Sequence, residues 1–431
     1  MTTHHRTVGA LALALGLLAG CRADEALNPP PTPAGGALFQ RYVSMGNSIT
    51  AGFQSAGIND STQHESYAWL FARQVGASDF ILPSLRGGQC SPLRNNVTQQ
   101  KVETTPICFR TNPSVPYVSN VAVPGARVLE QITNIPGPPT FPPGTVSSAN
   151  ALTTLILGGR TQITAMQRVK PTFVSLWIGN NDVLGAFTNS DNPGRPDFIT
   201  PVSAFQVLYK QVVDSIAATG ARAVLLSVAN VTSIPFASRG AIYWCLKKGP
   251  CPAPLPAPLP QVALNPLVTV NDTCAPAPVP GGIGLDVLVP WTKGVVGILN
   301  ATPTPANPAP TPFTLDCAND NQVVTAAEIT NLQNTITAYN AFIKAQADAN
   351  GWAYVDINAP LQALVSTGQI PAFPDLSQVL ANPANPGPIT FGPYFSLDGV
   401  HPSRKAHRLI ADSLIASVNR KFGTNVPFVG P

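Results

Sequence analysis

The sequence predicts an α/β fold in which a parallel sheet carries helices on both faces. Three observations predict it. Short apolar runs alternate with helix-like stretches along most of the 431 residues, the order that crossover helices between parallel strands produce. The runs are rich in Val, Leu and Ile, and several lack polar alternation, as strands buried on both faces do. Apolar residues make up 44% of the chain, ample for a core.

The elements follow in chain order. Residues 42–45 form a first apolar run that stops abruptly at Gly46-Asn47-Ser48. Further strands are expected at 118–123 ("VSNVAV"), 172–178 ("TFVSLWI"), 222–228 ("RAVLLSV") and 353–357 ("AYVDI"). Helices are expected between them at 64–76, 149–169, 202–219 and 325–350, with a last one at 403–420. In such sheets ligands sit at the carboxyl ends of the strands, where this pattern puts both Ser48 and Asn181. Two stretches break the alternation. Residues 80–117 have no clear period, and 235–322 are rich in Pro and Ala ("ATPTPANPAPTPF"). Proline runs oppose regular helix and central strand, so both read as irregular insertions.

Charge and cysteine content narrow the class. Charged residues are 11% of the chain and prolines number 46; an ordinary soluble domain carries about 25% charge. The balance suits a secreted chain with stiff loops. Net charge is +4 and no basic run exceeds Lys247-Lys248, so a nucleic-acid footprint is absent. Residues 1–20 join Arg6 to a short apolar stretch, too short to span a bilayer, and read as a secretory signal. Leu18-Ala19-Gly20-Cys21 resembles a bacterial lipoprotein processing site. That resemblance implies a lipid on Cys21, a tether over 21–37 and membrane anchoring. Arg22, where Asp would retain such a protein at the inner membrane, implies the outer membrane or cell surface. Six further cysteines (90, 108, 245, 251, 274, 317) suggest disulfides in an exported chain. Six allow 15 pairings, and sequence does not choose among them; neighbour pairing is the expectation, because each pair would close one loop.

A serine at a strand end becomes a nucleophile only with a base. Past the signal, histidine is scarce: His64, His401 and His407. In "SLDGVHPSRKAH" Asp398 stands three residues before His401. In a turn entering a helix, that spacing can put both side chains on one side, the carboxylate orienting the imidazole. The same spacing also fits a capping Asp beside an exposed His. Attack by Ser48 on a carbonyl needs N–H donors for the negative oxygen. Gly125, ending "NVAVPGA", and Asn181, in "IGNND", could supply them, although Gly and Asn end many strands. His407 is expected on the surface, Phe173 and Trp177 in the core. His64-Glu65 lacks the second His of a zinc motif.

Together the four stretches resemble the SGNH (GDSL-type) hydrolase family, whose blocks occur here in the family's order. "MGNSITAG" is similar to the first block, with Ser48 as nucleophile. "NVAVPGA" and "IGNND" resemble the second and third, with Gly125 and Asn181 as oxyanion donors beside the Ser48 N–H. "DGVHPS" matches the last, with Asp398 and His401. The matches span 44–403 of a hydrolase domain taken as 38–431. The resemblance implies a flavodoxin-like three-layer α/β/α fold of about five parallel strands. It also implies ester hydrolysis through an acyl-enzyme with no metal or cofactor. The family's usual Asp before the serine is replaced here by Asn47. Acyl transfer or glycan deacetylation at the same site, and ligand binding without catalysis, are the alternative functions. The apolar insertion around "PLPQVALNPLVTV" would suit one wall of a groove for a hydrophobic or lipid ester.

Overall fold

The computed structural model describes residues 36–133, 151–251, 259–305 and 307–430. The signal segment, Cys21 and the tether lie outside the described residues. So do residues 149–150 of the second expected helix and part of the proline-rich insertion.

Four strands form one parallel sheet in the order β1 (Tyr42–Gly46), β2 (Phe173–Trp177), β3 (Arg222–Leu226), β4 (Ala353–Val355). All four lie where the apolar runs predicted them. The fifth, 118–123, is extended along the outer edge of β1 but makes only one regular bridge, Ser44 to Asn120. It still donates and accepts there: Ser44 N–H to Ser119 C=O at 3.0 Å, Val121 N–H to Ser44 C=O at 2.9 Å, Val123 N–H to Gly46 C=O at 3.3 Å. The Asn120 side chain accepts from Ala122 N–H at 3.2 Å and donates to Thr50 C=O at 2.8 Å. Those local bonds compete with the ladder, so the edge is a partial strand. Counting it, the spatial order is that of a flavodoxin-like sheet.

Side chains alternate between two cores. Val43, Met45, Val174, Leu176, Ala223 and Leu225 pack in one. Its helices include α3 (Gln162–Val169), α5 (Val202–Ala217) and α6 (Ala326–Ala349). Tyr42, Phe173, Trp177, Val224 and Leu226 pack in the other, against α2 (Tyr67–Gln74) and α8 (Arg404–Phe422). This is the three-layer α/β/α arrangement. The cap at Thr325, a reciprocal box with Glu328, fixes the start of α6. Two expected helices are broken. Ser66 ends one short helix and caps α2 in place of a continuous 64–76 helix. Gly158 and Gly159, at φ +61° and +79°, separate Ala151–Leu157 from α3.

The insertion 235–322 is not irregular. Its described residues contain helices Gly240–Lys248 and Gly294–Asn300 and two strand pairs, packed over a core shared with Leu376, Val379, Ile389 and Phe391. Val262, Val268 and Val270 are buried there. Those three residues of the stretch expected to wall a substrate groove pack inward, while Leu264 is exposed. Pro260 opens a short helix and Pro290 ends a strand, places where a missing N–H costs little. Residues 80–117 likewise hold two short antiparallel pairs. Three disulfides join neighbours, Cys90–Cys108, Cys245–Cys251 and Cys274–Cys317. Among the described residues no helix is long and apolar enough to cross a membrane.

Candidate active site

β1 ends at Gly46 because no other residue fits. A Cβ there would lie 2.4 Å from Thr50 Oγ1 and 2.5 Å from the Trp177 carbonyl oxygen. The buried Gln162 side chain clamps both backbone groups of Gly46, accepting from its N–H at 3.0 Å and donating to its C=O at 2.7 Å. Ser48 then opens the one-turn helix α1 (Ser48–Ala51), capped by Asn47, whose Oδ1 accepts from Ile49 N–H at 3.1 Å. The Ser48 N–H, in the first turn, has no intrahelical acceptor.

The structure brings Ser48, His401 and Asp398 into one hydrogen-bonded chain. His401 Nε2 is 2.8 Å from Ser48 Oγ, and Nδ1 is 2.9 Å from Asp398 Oδ2. Asp398 is fixed from five directions. Ser396 Oγ and the N–H groups of Val400 and His401 donate to Oδ1; Ala56 N–H and His401 Nδ1 donate to Oδ2. Burial alone would raise its pKa. The charge and hydrogen bonds of His401, with the Ala56 N–H, overcome burial and hold the carboxyl well below its usual range. An ionised carboxylate only accepts, so Nδ1 donates and Nε2 is left to accept from Ser48. The Ala56 donor is aimed by a tight turn at 54–57 in which Ser55 and Ala56 are both left-handed, φ +52° and +56°. Phe53 packs on the imidazole at 4.8 Å between ring centroids.

Register brings the remaining pair to the same place. Gly46 pairs with Trp177 and accepts from Val123 N–H. Ser48, Gly125 and Asn181 thus all lie just past the same end of the sheet, the last at the start of α4 (Asn181–Phe187). Gly125 is exposed at φ +83°, a backbone state that disfavours a side chain. Asn181 Nδ2 donates one hydrogen to Ala126 C=O at 2.9 Å, and its second hydrogen is available to another acceptor.

Beside the loop that carries Asp398 and His401 runs a narrow apolar groove, partly open to solvent. Ile49, Val400, Pro402, Leu409 and the α7 residues Leu361 and Leu364 line it, α7 being Asn358–Ser366. No cluster of three or more metal-ligating side chains occurs among the described residues. His407 is fully buried, not on the surface; its Nδ1 accepts from Tyr67 N–H at 3.2 Å. Gln162, Phe53, Ala56 and Asp182 escaped the sequence reading. Only Asp182, adjoining the Asn181 motif, carried a local signal.

A family model described as GDSL-like lipase/acylhydrolase matches residues 42–414. Among solved structures the chain is similar to a catalytic mutant of an acetylxylan esterase from Geobacillus stearothermophilus, with 11% identity, 90% of this chain and 95% of that chain covered, and a TM-score of 0.37. It is also similar to a psychrotrophic esterase from Pseudoalteromonas sp., with 10% identity, 89% and 100% covered, and a TM-score of 0.31. No curated protein matches it at a significant level.

Proposed function

This chain belongs to the GDSL-like lipase/acylhydrolase family and is a carboxylic-ester hydrolase; from that premise we propose that it works through Ser48, His401 and Asp398. The observation that carries the reading is the unbroken chain Ser48 Oγ–His401 Nε2, His401 Nδ1–Asp398 Oδ2, at 2.8 and 2.9 Å. His401 takes the Ser48 proton as Oγ attacks the acyl carbon. Asp398 stabilises the imidazolium so formed. The N–H groups of Ser48 and Gly125 and the Asn181 amide receive the oxyanion. The tetrahedral intermediate expels the alcohol, which takes the proton from His401. Water, deprotonated by His401, then releases the acid and restores Ser48. Asn47 Oδ1 keeps the cap on the Ile49 N–H that a carboxylate would make, while its buried Nδ2 has no hydrogen-bond partner among the described residues. The apolar part of the ester is assigned to the groove beside the acid–base loop, and three disulfides support an exported location.

The test is fluorophosphonate labelling of the purified protein with peptide mapping, alongside Ser48→Ala and His401→Ala. The expected adduct is on Ser48 and absent from both variants, whose kcat falls by about 10³-fold or more. A folded protein that takes no label contradicts the mechanism. A p-nitrophenyl ester series from acetate to octanoate tests the groove, with kcat/KM expected to rise with chain length. A fall would exclude it as the acyl site.

A further inference from the structure

Asp182 is a fully buried carboxyl that the scheme above does not use. It stands directly after Asn181, in the first turn of α4. Its Oδ2 accepts from Val128 N–H at 3.0 Å. Its Oδ1 makes no hydrogen bond of normal length and angle among the described residues, although the Thr200 side chain helps to stabilise the charged carboxyl. Its backbone C=O accepts from Thr200 N–H at 2.9 Å, and the Tyr339 hydroxyl donates to the Thr200 C=O. The residue is therefore anchored on the α5 side, with its carboxyl reaching across to the turn at 124–128.

That turn carries Gly125. It is held to α4 at two points, by Asn181 Nδ2 on Ala126 C=O and by Asp182 Oδ2 on Val128 N–H. The first bond uses one hydrogen of the amide whose other hydrogen is assigned to the oxyanion. The second ties the same turn to a buried carboxyl one residue beyond that amide. Burial pushes the carboxyl up to about 7, against the Val128 N–H, Thr200 and Arg127, while Glu130 adds to the rise. A side chain kept only for packing would avoid that cost.

We infer that Asp182 is a positioning residue for ester hydrolysis: by holding Val128 it fixes the 124–128 turn against α4, so that the Gly125 N–H and the Asn181 amide converge on one point. The inference rests on the proposed roles of Gly125 and Asn181. A displacement of about 1 Å at such a point costs on the order of 100-fold in rate.

The experiment compares Asp182→Leu and Asp182→Asn with wild type. Leucine keeps the shape and removes both acceptors; asparagine keeps one oxygen for the Val128 N–H. Competent protein is counted by end-point fluorophosphonate labelling, and kcat and KM are reported per labelled site with thermal stability alongside. Asp182→Leu is expected to lose about 30-fold or more in kcat, with KM within about threefold and thermal stability equal to or above wild type. Asp182→Asn is expected to stay within about threefold of wild type. A Leu variant within twofold of wild-type kcat per labelled site overturns the assignment. So does an Asn variant as slow as the Leu one. Absence of label on wild-type Ser48 is a different result, and it removes the hydrolytic reading beneath the inference.

Discussion

At the scale of single residues, two buried titratable groups pull the pH dependence of stability in opposite directions. Burial, reinforced by the charge of His401, pushes His407 down to about 3. A His whose folded pKa lies below its ordinary 6.5 contributes full stability above that value. It loses stability as pH falls, because the unfolded chain takes up the proton first. Between pH 7 and 5 the loss is about 2 kcal/mol. Asp182, pushed up to about 7, does the reverse. Its folded form holds a proton that the unfolded chain releases above about pH 4, so stability rises by about 2 kcal/mol over the same fall in pH. Asp398, held low, matters only below the carboxylate range, where its contribution is lost on acidification. Wild type is therefore expected to be nearly flat from pH 7 to 5 in denaturant melts. His407→Asn, which keeps an acceptor for the Tyr67 N–H without titrating, should gain about 2 kcal/mol over that interval. A His407→Asn curve as flat as wild type would show that the imidazole is not held neutral. The sequence offered a clue to this residue. His407, Ile410, Ala411, Leu414, Ile415 and Val418 repeat at helical spacing on the buried face of α8. Scarcity of histidine drew attention to His401 instead, whose Asp three residues earlier gave it chemical meaning.

At the scale of elements, legibility follows how local the determining forces are. The four sheet strands were readable because burial on both faces demands apolar runs whatever their partners. The 118–123 edge was misread as a full strand because its ladder is decided by the Asn120 side chain, which a run of Val does not reveal. The insertion hides its elements from the sequence because its short helices depend on cross-links and on a core shared with residues 376–391 more than on propensity. Cys274–Cys317 closes 43 residues, Cys90–Cys108 closes 18 and Cys245–Cys251 closes 6. Loop-closure entropy ranks them in that order, from about 4 to about 2 kcal/mol. Replacing Cys274 and Cys317 together by Ala should therefore destabilise the insertion most. Limited proteolysis should then cut within 259–322 at denaturant concentrations that leave the sheet intact. Protection of the insertion equal in the Cys274/Cys317 and Cys245/Cys251 paired variants would mean that packing, and not closure, holds it.

At the scale of the whole molecule, the insertion reaches the loop that carries Asp398 and His401 through the Trp291 side chain. Ser48 and His401 are 353 residues apart, and the sheet alone brings them together. The loop carrying Asp398, however, has a support that does not come from the sheet. Trp291, at the end of an insertion strand, donates from Nε1 to the Asp398 C=O at 3.3 Å. Its ring packs edge-on against Phe391 at 5.5 Å, and its own N–H is fixed by the Phe236 C=O at 2.8 Å. Nothing in the local sequence around Trp291 announces this, because the contact spans 107 residues and only the folded insertion creates it. If the insertion braces the acid–base loop, Trp291→Phe should keep the ring packing and lose only the donor. One neutral hydrogen bond of about 1 kcal/mol corresponds to a fall of roughly fivefold in kcat, with KM unchanged. Trp291→Ala, which also empties the space against Phe391, should fall further and lower the melting temperature. Steady-state kinetics normalised to labelled Ser48 separates the cases. A Phe variant with wild-type kcat would leave the loop braced by Ser396, Ala56 and the backbone alone, and the insertion would then be a neighbour of the site without a part in aligning it.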